Sequence, residues 1–184
     1  MGKFIYILTA FILCQGSNNL LAQNKIKWLT WEEAMEKSKV EKKKIFIDIY
    51  TEWCGWCKKM DKSTLSEGHL AVYLNKNYYA VKFDAERITP AMLKDKEYKH
   101  VKNGAKGYHE LAIHFLQGQM SYPSMVFLDE DLNLIQSIPG YQDVKTFEMI
   151  ITYFGSNSHK SVPWQRYMNN FQREIFFNMS VGKN

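Results

Sequence analysis

The chain has 184 residues, 46% of them hydrophobic and 15% aromatic, which is enough apolar surface for one packed core without a metal or a disulfide scaffold. Its net charge of +5 is mild, and its lysines are scattered through Lys42-Lys43-Lys44, Lys58-Lys59 and the Lys94 to Lys106 region. That distribution gives solvated faces rather than a phosphate-tracking stripe, so nucleic-acid binding is not expected.

The first residues have the layout of a secretory signal peptide: Lys3, an apolar run from Phe4 to Cys14, a polar stretch, and then Leu20-Leu21-Ala22. The apolar run is well short of the roughly 18–20 residues of a spanning helix, which disfavours a retained anchor or stable membrane insertion. Leu13 is a poor fit before a lipidated Cys14. Cleavage after Ala22 would start the mature protein at Gln23, in the periplasm or outside the cell, and would remove Cys14. Only Cys54 and Cys57 then remain. Two cysteines this close lock almost no chain entropy when paired, so they suit chemistry better than stability.

In chain order, Thr30 and Glu33 have the spacing of a capping box and open a short helix that runs to about Lys39. Ile45-Phe46-Ile47-Asp48-Ile49-Tyr50 is β-branched and aromatic, as a buried parallel strand should be, with Asp48 as its anomaly. Cys54 then begins a helix that lasts to the Ser63 region. A helical piece at Leu70 to Leu74 precedes a strand at Tyr78 to Asp84, which completes a βαβ pattern. From Glu86 to Lys106 the sequence is polar, and Thr89-Pro90 offers a cap and a first helical position, so an exposed insertion with a short helix is expected. Tyr108 to Phe115 returns to helical spacing. Met125 to Leu128 and Leu134 to Ile138 form a hairpin about Asp129 to Asn133, and Val144 to Phe154 is an amphipathic helix. Trp164, Tyr167, Phe171, Ile175 and Phe176 recur at spacings of three and four, which predicts a docked helix in the tail.

A Cys-x-x-Cys pair whose first member opens a helix is the arrangement disulfide exchange needs, because helix-end amides stabilise a thiolate there. Cys54 is the nucleophile candidate, and Cys57, one turn on, is the resolving candidate. Other chemistry fits less well. A zinc site needs about four ligands, so His69, His109 or His114 would have to converge on the pair. Haem attachment needs a histidine after the second cysteine, where Lys58 stands. A peroxidase signature is not evident beside the cysteines. No metal and no cofactor are expected.

The segment Ile47-Asp48-Ile49-Tyr50-Thr51-Glu52-Trp53-Cys54-Gly55-Trp56-Cys57-Lys58 resembles the active-site segment of the thioredoxin family, and the resemblance runs from about Lys44 to Phe154. It is similar above all to exported members, including the C-terminal domain of the bacterial transmembrane thiol–disulfide interchange protein. The resemblance implies an α/β thioredoxin fold with a central mixed sheet flanked by helices. Together with the residue patterns above, it divides the chain into a signal peptide (1–22), an N-terminal helical extension (23–43), the thioredoxin-like domain (44–155) with a lysine-rich insertion at about 87–107, and a helical tail (156–184).

Asp48 would be the buried acid that takes a proton from Cys57, a role that agrees with the cost of placing an unused carboxylate in an apolar strand. Lys82 matches the family's neighbouring lysine and is a possible partner of Asp48. Tyr122-Pro123 matches the family's cis-proline step, which presents backbone to an extended substrate, and Trp53 and Trp56 would form an apolar substrate rim. The family's proline between the cysteines is replaced by Trp56, and its usual threonine before the cis-proline by the bulkier Tyr122. The function implied is dithiol–disulfide exchange with envelope proteins; a low thiol pKa would make an oxidant and a higher one a reductase, of which the reductase is favoured and would need electrons from a membrane partner. The alternative is a thioredoxin-fold binding module with idle cysteines.

Overall fold

The computed structural model describes residues 25–103 and 106–171. The expected signal peptide and the tail beyond residue 171 lie outside the described residues.

At the centre is β2 (Lys44–Tyr50), which pairs in parallel with β3 (Tyr78–Asp84) and antiparallel with β8 (Ser124–Leu128). The edges are β1 (Trp28–Leu29), parallel to β3, and β9 (Leu134–Pro139), antiparallel to β8. The order β1-β3-β2-β8-β9 is therefore the mixed sheet that the sequence implies.

Strand alternation divides the core into two layers. Ile45, Ile47 and Ile49 point into a cluster with Trp31 of α1 (Trp31–Val40) and Leu111 and Phe115 of α4 (Glu110–Phe115). Phe46 points the other way, toward Met60 of α2 (Gly55–Ser63), Leu70 and Leu74 of α3 (Gly68–Asn77), and Phe147 and Ile150 of α5 (Val144–Gly155). Thr30 caps α1 as the sequence predicts: its hydroxyl accepts from the Glu33 amide, and the Glu33 carboxylate accepts from the Thr30 amide.

Two expectations are corrected. Residues before Lys44 supply an edge strand, β1, as well as a helix. Thr89-Pro90 begins no helix. The insertion instead folds as two hairpins, β4 (Ala91–Leu93) with β5 (Lys96–Tyr98), and β6 (His100–Asn103) with β7 (Lys106–His109). Nor is the insertion simply exposed, because Ala91, Leu93 and Tyr98 join the α1/α4 core cluster while Met92 faces outward. That inside–outside alternation marks a strand, but Ala91-Met92-Leu93 is apolar throughout, so the alternation leaves no trace in the sequence. Residues 164–171 are helical, with Trp164 and Tyr167 packed against the α5 layer.

Candidate functional site

The site forms where β2 ends and α2 begins. Thr51 is buried and its carbonyl accepts from the Cys54 amide at 3.1 Å, which turns the chain so that Cys54 occupies the N-cap of α2 in an extended conformation. Its sulfur accepts a hydrogen bond from the Cys57 amide at 3.1 Å, and the two cysteines are joined as a disulfide. This places Cys54 at the positive end of the helix dipole, next to an amide otherwise without a helical partner, and both effects favour a thiolate once the pair is reduced. Burial does not separate the two cysteines, because Cys54 is 5% exposed and Cys57 4%. The distinction between them is positional: Cys54 precedes the helix, and Cys57 sits inside its first turn.

Register places the Tyr122-Pro123 step at the same end of the sheet. Ser124 pairs with Ile49, so the residues just before it lie opposite the end of β2. The peptide bond between Tyr122 and Pro123 is cis. The buried Pro123 carbonyl accepts from the Gly140 amide at 2.8 Å. The Tyr122 ring meets Trp53 edge-on at 5.9 Å, and its buried hydroxyl has no hydrogen-bond partner; burial holds that phenol well above its ordinary pKa. Trp53 and Trp56 are 60% and 57% exposed, as a substrate rim would be.

Asp48 is fully buried on the face of β2 shared with Phe46, the face that packs against α2. One carboxylate oxygen has no hydrogen-bond partner, and the other lies 3.4 Å from the Lys82 ammonium, the cross-strand neighbour that the family resemblance pairs with it. Burial pushes the Asp48 carboxyl up to about 6, against the pull of Lys82 and with a further push from Asp61. The ammonium's shorter contacts, 2.6 Å to each oxygen, are to Asp61. Lys82 is thus shared between two carboxylates, whose attraction outweighs the effect of burial and raises its pKa.

Asp61 escaped the sequence reading, although its spacing was a signal: it lies four residues after Cys57 and so on the same side of α2. Also missed were Glu86, whose carboxylate accepts from the Trp53 indole at 3.0 Å, and the group of Lys59, Trp56 and Tyr141, in which the ammonium lies over both rings. The Lys59–Trp56 contact is a local pair three residues apart on α2, whereas the Glu86–Trp53 and Lys59–Tyr141 contacts carry no local sequence signal, because the chain is folded back to make them.

The histidines do not converge on the cysteines. His109 is buried, with Nδ1 accepting from the Leu111 amide and Nε2 bonded to the Thr89 carbonyl. His114 lies beside Tyr98 and Phe115, and His69 is near Glu67. Among the described residues no group of three or more His, Cys, Asp or Glu side chains is placed to hold a metal, and no helix is long and apolar enough to cross a membrane. The arrangement as a whole, a disulfide at the N-cap of a helix that packs on the strand face bearing a buried acid, equips the protein for thiol–disulfide redox chemistry.

Residues 15–146 match the family Thioredox_DsbH, described as "Protein of unknown function, DUF255". An uncharacterised protein of Archaeoglobus fulgidus is 32% identical over 88 residues, which cover 46% of this chain and 69% of that protein. The uncharacterised protein B0495.5 of Caenorhabditis elegans is 31% identical over 115 residues, 62% of this chain, and rat spermatogenesis-associated protein 20 is 33% identical over 66 residues, 35% of this chain. The chain spans only 14% and 8% of the lengths of these two. Among solved structures, a thioredoxin-fold protein from Helicobacter pylori superposes with a TM-score of 0.55 at 13% identity, covering 89% of this chain and 96% of that one. A thioredoxin from Thermus thermophilus gives 0.52 at 14% identity, covering 71% and 87%. The fold is that of thioredoxin, and the chain belongs to the Thioredox_DsbH (DUF255) family of thioredoxin-like proteins.

Proposed function

We propose that this protein is a thiol–disulfide oxidoreductase that reduces disulfides of protein substrates outside the cytoplasm. The observation that carries the reading is the placement of Cys54 at the N-cap of α2 with its sulfur on the Cys57 amide. In the reduced protein the Cys54 thiolate attacks a substrate disulfide, forming a mixed disulfide and releasing one substrate thiolate. Cys57 then loses its proton and attacks Cys54, which restores the protein disulfide and frees the second substrate thiolate. Asp48 is suited to take that proton, because a carboxyl with a pKa of about 6 is largely ionised at neutral pH and still basic enough to accept.

The reducing direction is favoured by the site's electrostatics. A strong oxidant needs a heavily stabilised thiolate, whereas here the helix that bears the pair also carries Asp61 and faces the buried Asp48, and negative charge on those carboxylates opposes the helix dipole. Each turnover consumes two electrons, so a dithiol donor must resupply them, and for an exported protein that donor would be membrane-borne. Export itself rests on the apolar run from Phe4 to Cys14. Tyr122, Pro123, Trp53 and Trp56 would receive the substrate chain.

Trapping tests the assignment. Cys57→Ser should accumulate mixed disulfides with substrate proteins on non-reducing gels, and Cys54→Ser should accumulate few. Equal trapping by both would overturn the roles, and none by either would favour a binding module.

A further inference from the structure

Two aromatic walls adjoin the cysteine pair: Trp53, next to Cys54, stands against Tyr122 with ring centres 5.9 Å apart, and Trp56, next to Cys57, stands against Tyr141 with ring centres 5.6 Å apart. Each wall presents an indole more than half exposed, the kind of side chain that dominates binding at protein interfaces.

The walls differ in charge. Glu86 holds the Trp53 indole, and Asp84 accepts the Glu86 amide at 2.9 Å. Burial, together with the neighbouring Glu86 and Glu52 carboxylates, keeps the Asp84 carboxyl above its ordinary pKa range despite the Glu86 amide, so three acids share this side. The nearby cation, Arg87, draws the Asp84 carboxyl down in part, but its guanidinium is bonded to Glu32 at 2.7 Å and to the Thr89 carbonyl. On the opposite wall the Lys59 ammonium sits 4.5 Å from the Trp56 ring centre and 5.2 Å from that of Tyr141, with exposed Lys58 beside it in sequence. The acid close to Tyr141 is Asp143, whose carboxylate is committed to capping α5 through the Thr146 amide at 2.8 Å.

We propose that the groove over the cysteines is polarised in charge and selects extended, disulfide-bearing protein segments with a basic residue on one side of the reacting cysteine and an acidic residue on the other. This rests on the redox reading above and adds the substrate class. A chain with that pattern laid across the groove meets an opposite charge at both ends, and the reversed pattern meets a like charge at both ends. The aromatic walls supply contact area without regard to sequence, so the order of charges is what they leave to be read.

Four peptides of one length test this. Each carries a central cysteine as a mixed disulfide with thionitrobenzoate, flanked by Lys then Glu, Glu then Lys, two Lys or two Glu. Attack by Cys54 joins its sulfur to the peptide sulfur and expels thionitrobenzoate with the bonding electron pair. Cys57 then displaces the peptide thiolate, so two electrons pass from the protein dithiol to the probe disulfide. The readout is the ratio of release rates within one protein, which cancels any change in thiolate reactivity.

One opposed-sign order should be fastest and the other slowest, differing roughly three- to tenfold at low salt, with the difference lost in about 0.5 M salt. Glu52→Gln with Lys59→Gln should narrow the ratio, and Glu52→Lys with Lys59→Glu should narrow it further, because Asp84, Glu86 and Lys58 remain. Equal rates for all four peptides, or a ratio that neither double variant moves, would overturn the inference and leave the redox reading standing. If the reduced protein releases thionitrobenzoate from none of the peptides, nor from its symmetric disulfide, the redox reading itself fails.

Discussion

The two faces of β2 serve different ends. One carries Ile45, Ile47 and Ile49, all fully buried beneath α1 and α4, and no ionisable side chain of the strand intrudes there. The other carries Phe46 and then Asp48, a buried acid with one unpartnered oxygen, facing the helix that bears the cysteines. The first face holds the fold together. The second accepts an energetic cost at the position where the proposed mechanism places proton transfer, and a strand can do both because its side chains alternate.

The largest expected effect is on the apolar face. Ile47→Ala should destabilise the protein by roughly 2–5 kcal/mol, seen as a lower urea midpoint, with no change in disulfide reduction per folded molecule. A loss of activity out of proportion to unfolding would mean that the two faces are not separable.

Asp48→Asn should do the opposite. The folded carboxyl keeps its proton up to about pH 6, whereas an unfolded one releases it near the ordinary value of 3.8. Between those values the native state binds more protons, so wild-type stability falls as pH rises through that window. Replacing Asp48 should therefore stabilise the protein by up to about 3 kcal/mol at pH 8 and by almost nothing below pH 4. It should also slow resolution of mixed disulfides more than their formation, as rapid mixing of each half-reaction can show. Equal slowing of both steps would make Asp48 structural.

The smallest effect on stability should come from Asp61→Asn, under about 1 kcal/mol, because Asp61 is partly exposed. Its signature is elsewhere. Asp61 raises the Asp48 pKa and also draws off the Lys82 ammonium, so its loss should move the pH midpoint of the resolution step to the acid side. An unmoved midpoint would show that Lys82 and Asp61 do not act on Asp48.

How much of this was legible in the sequence follows from range. The capping box at Thr30, the strand about Asp48 and the helix opening at Cys54 are set by residues within a few positions of one another, and each stands where the sequence puts it. The insertion at 87–107 was misread because its strands are three or four residues long, too short for alternation to show, and Thr89-Pro90 suits a helix start as well as a loop. The Asp48–Lys82 contact followed from the family resemblance. Sharing of that lysine with Asp61, the Glu86 bond to Trp53 and the Lys59–Tyr141 contact depend on how α2, the insertion and the turn after β9 converge, which no local pattern records.

The central claim, that Cys54 and Cys57 turn over as a redox couple with Cys54 attacking, is tested most directly by insulin reduction with dithiothreitol as the electron source. Wild-type protein should precipitate the insulin B chain well ahead of dithiothreitol alone, and Cys54→Ser should not. A wild type no faster than dithiothreitol, or a Cys54→Ser variant as fast as wild type, would contradict the account.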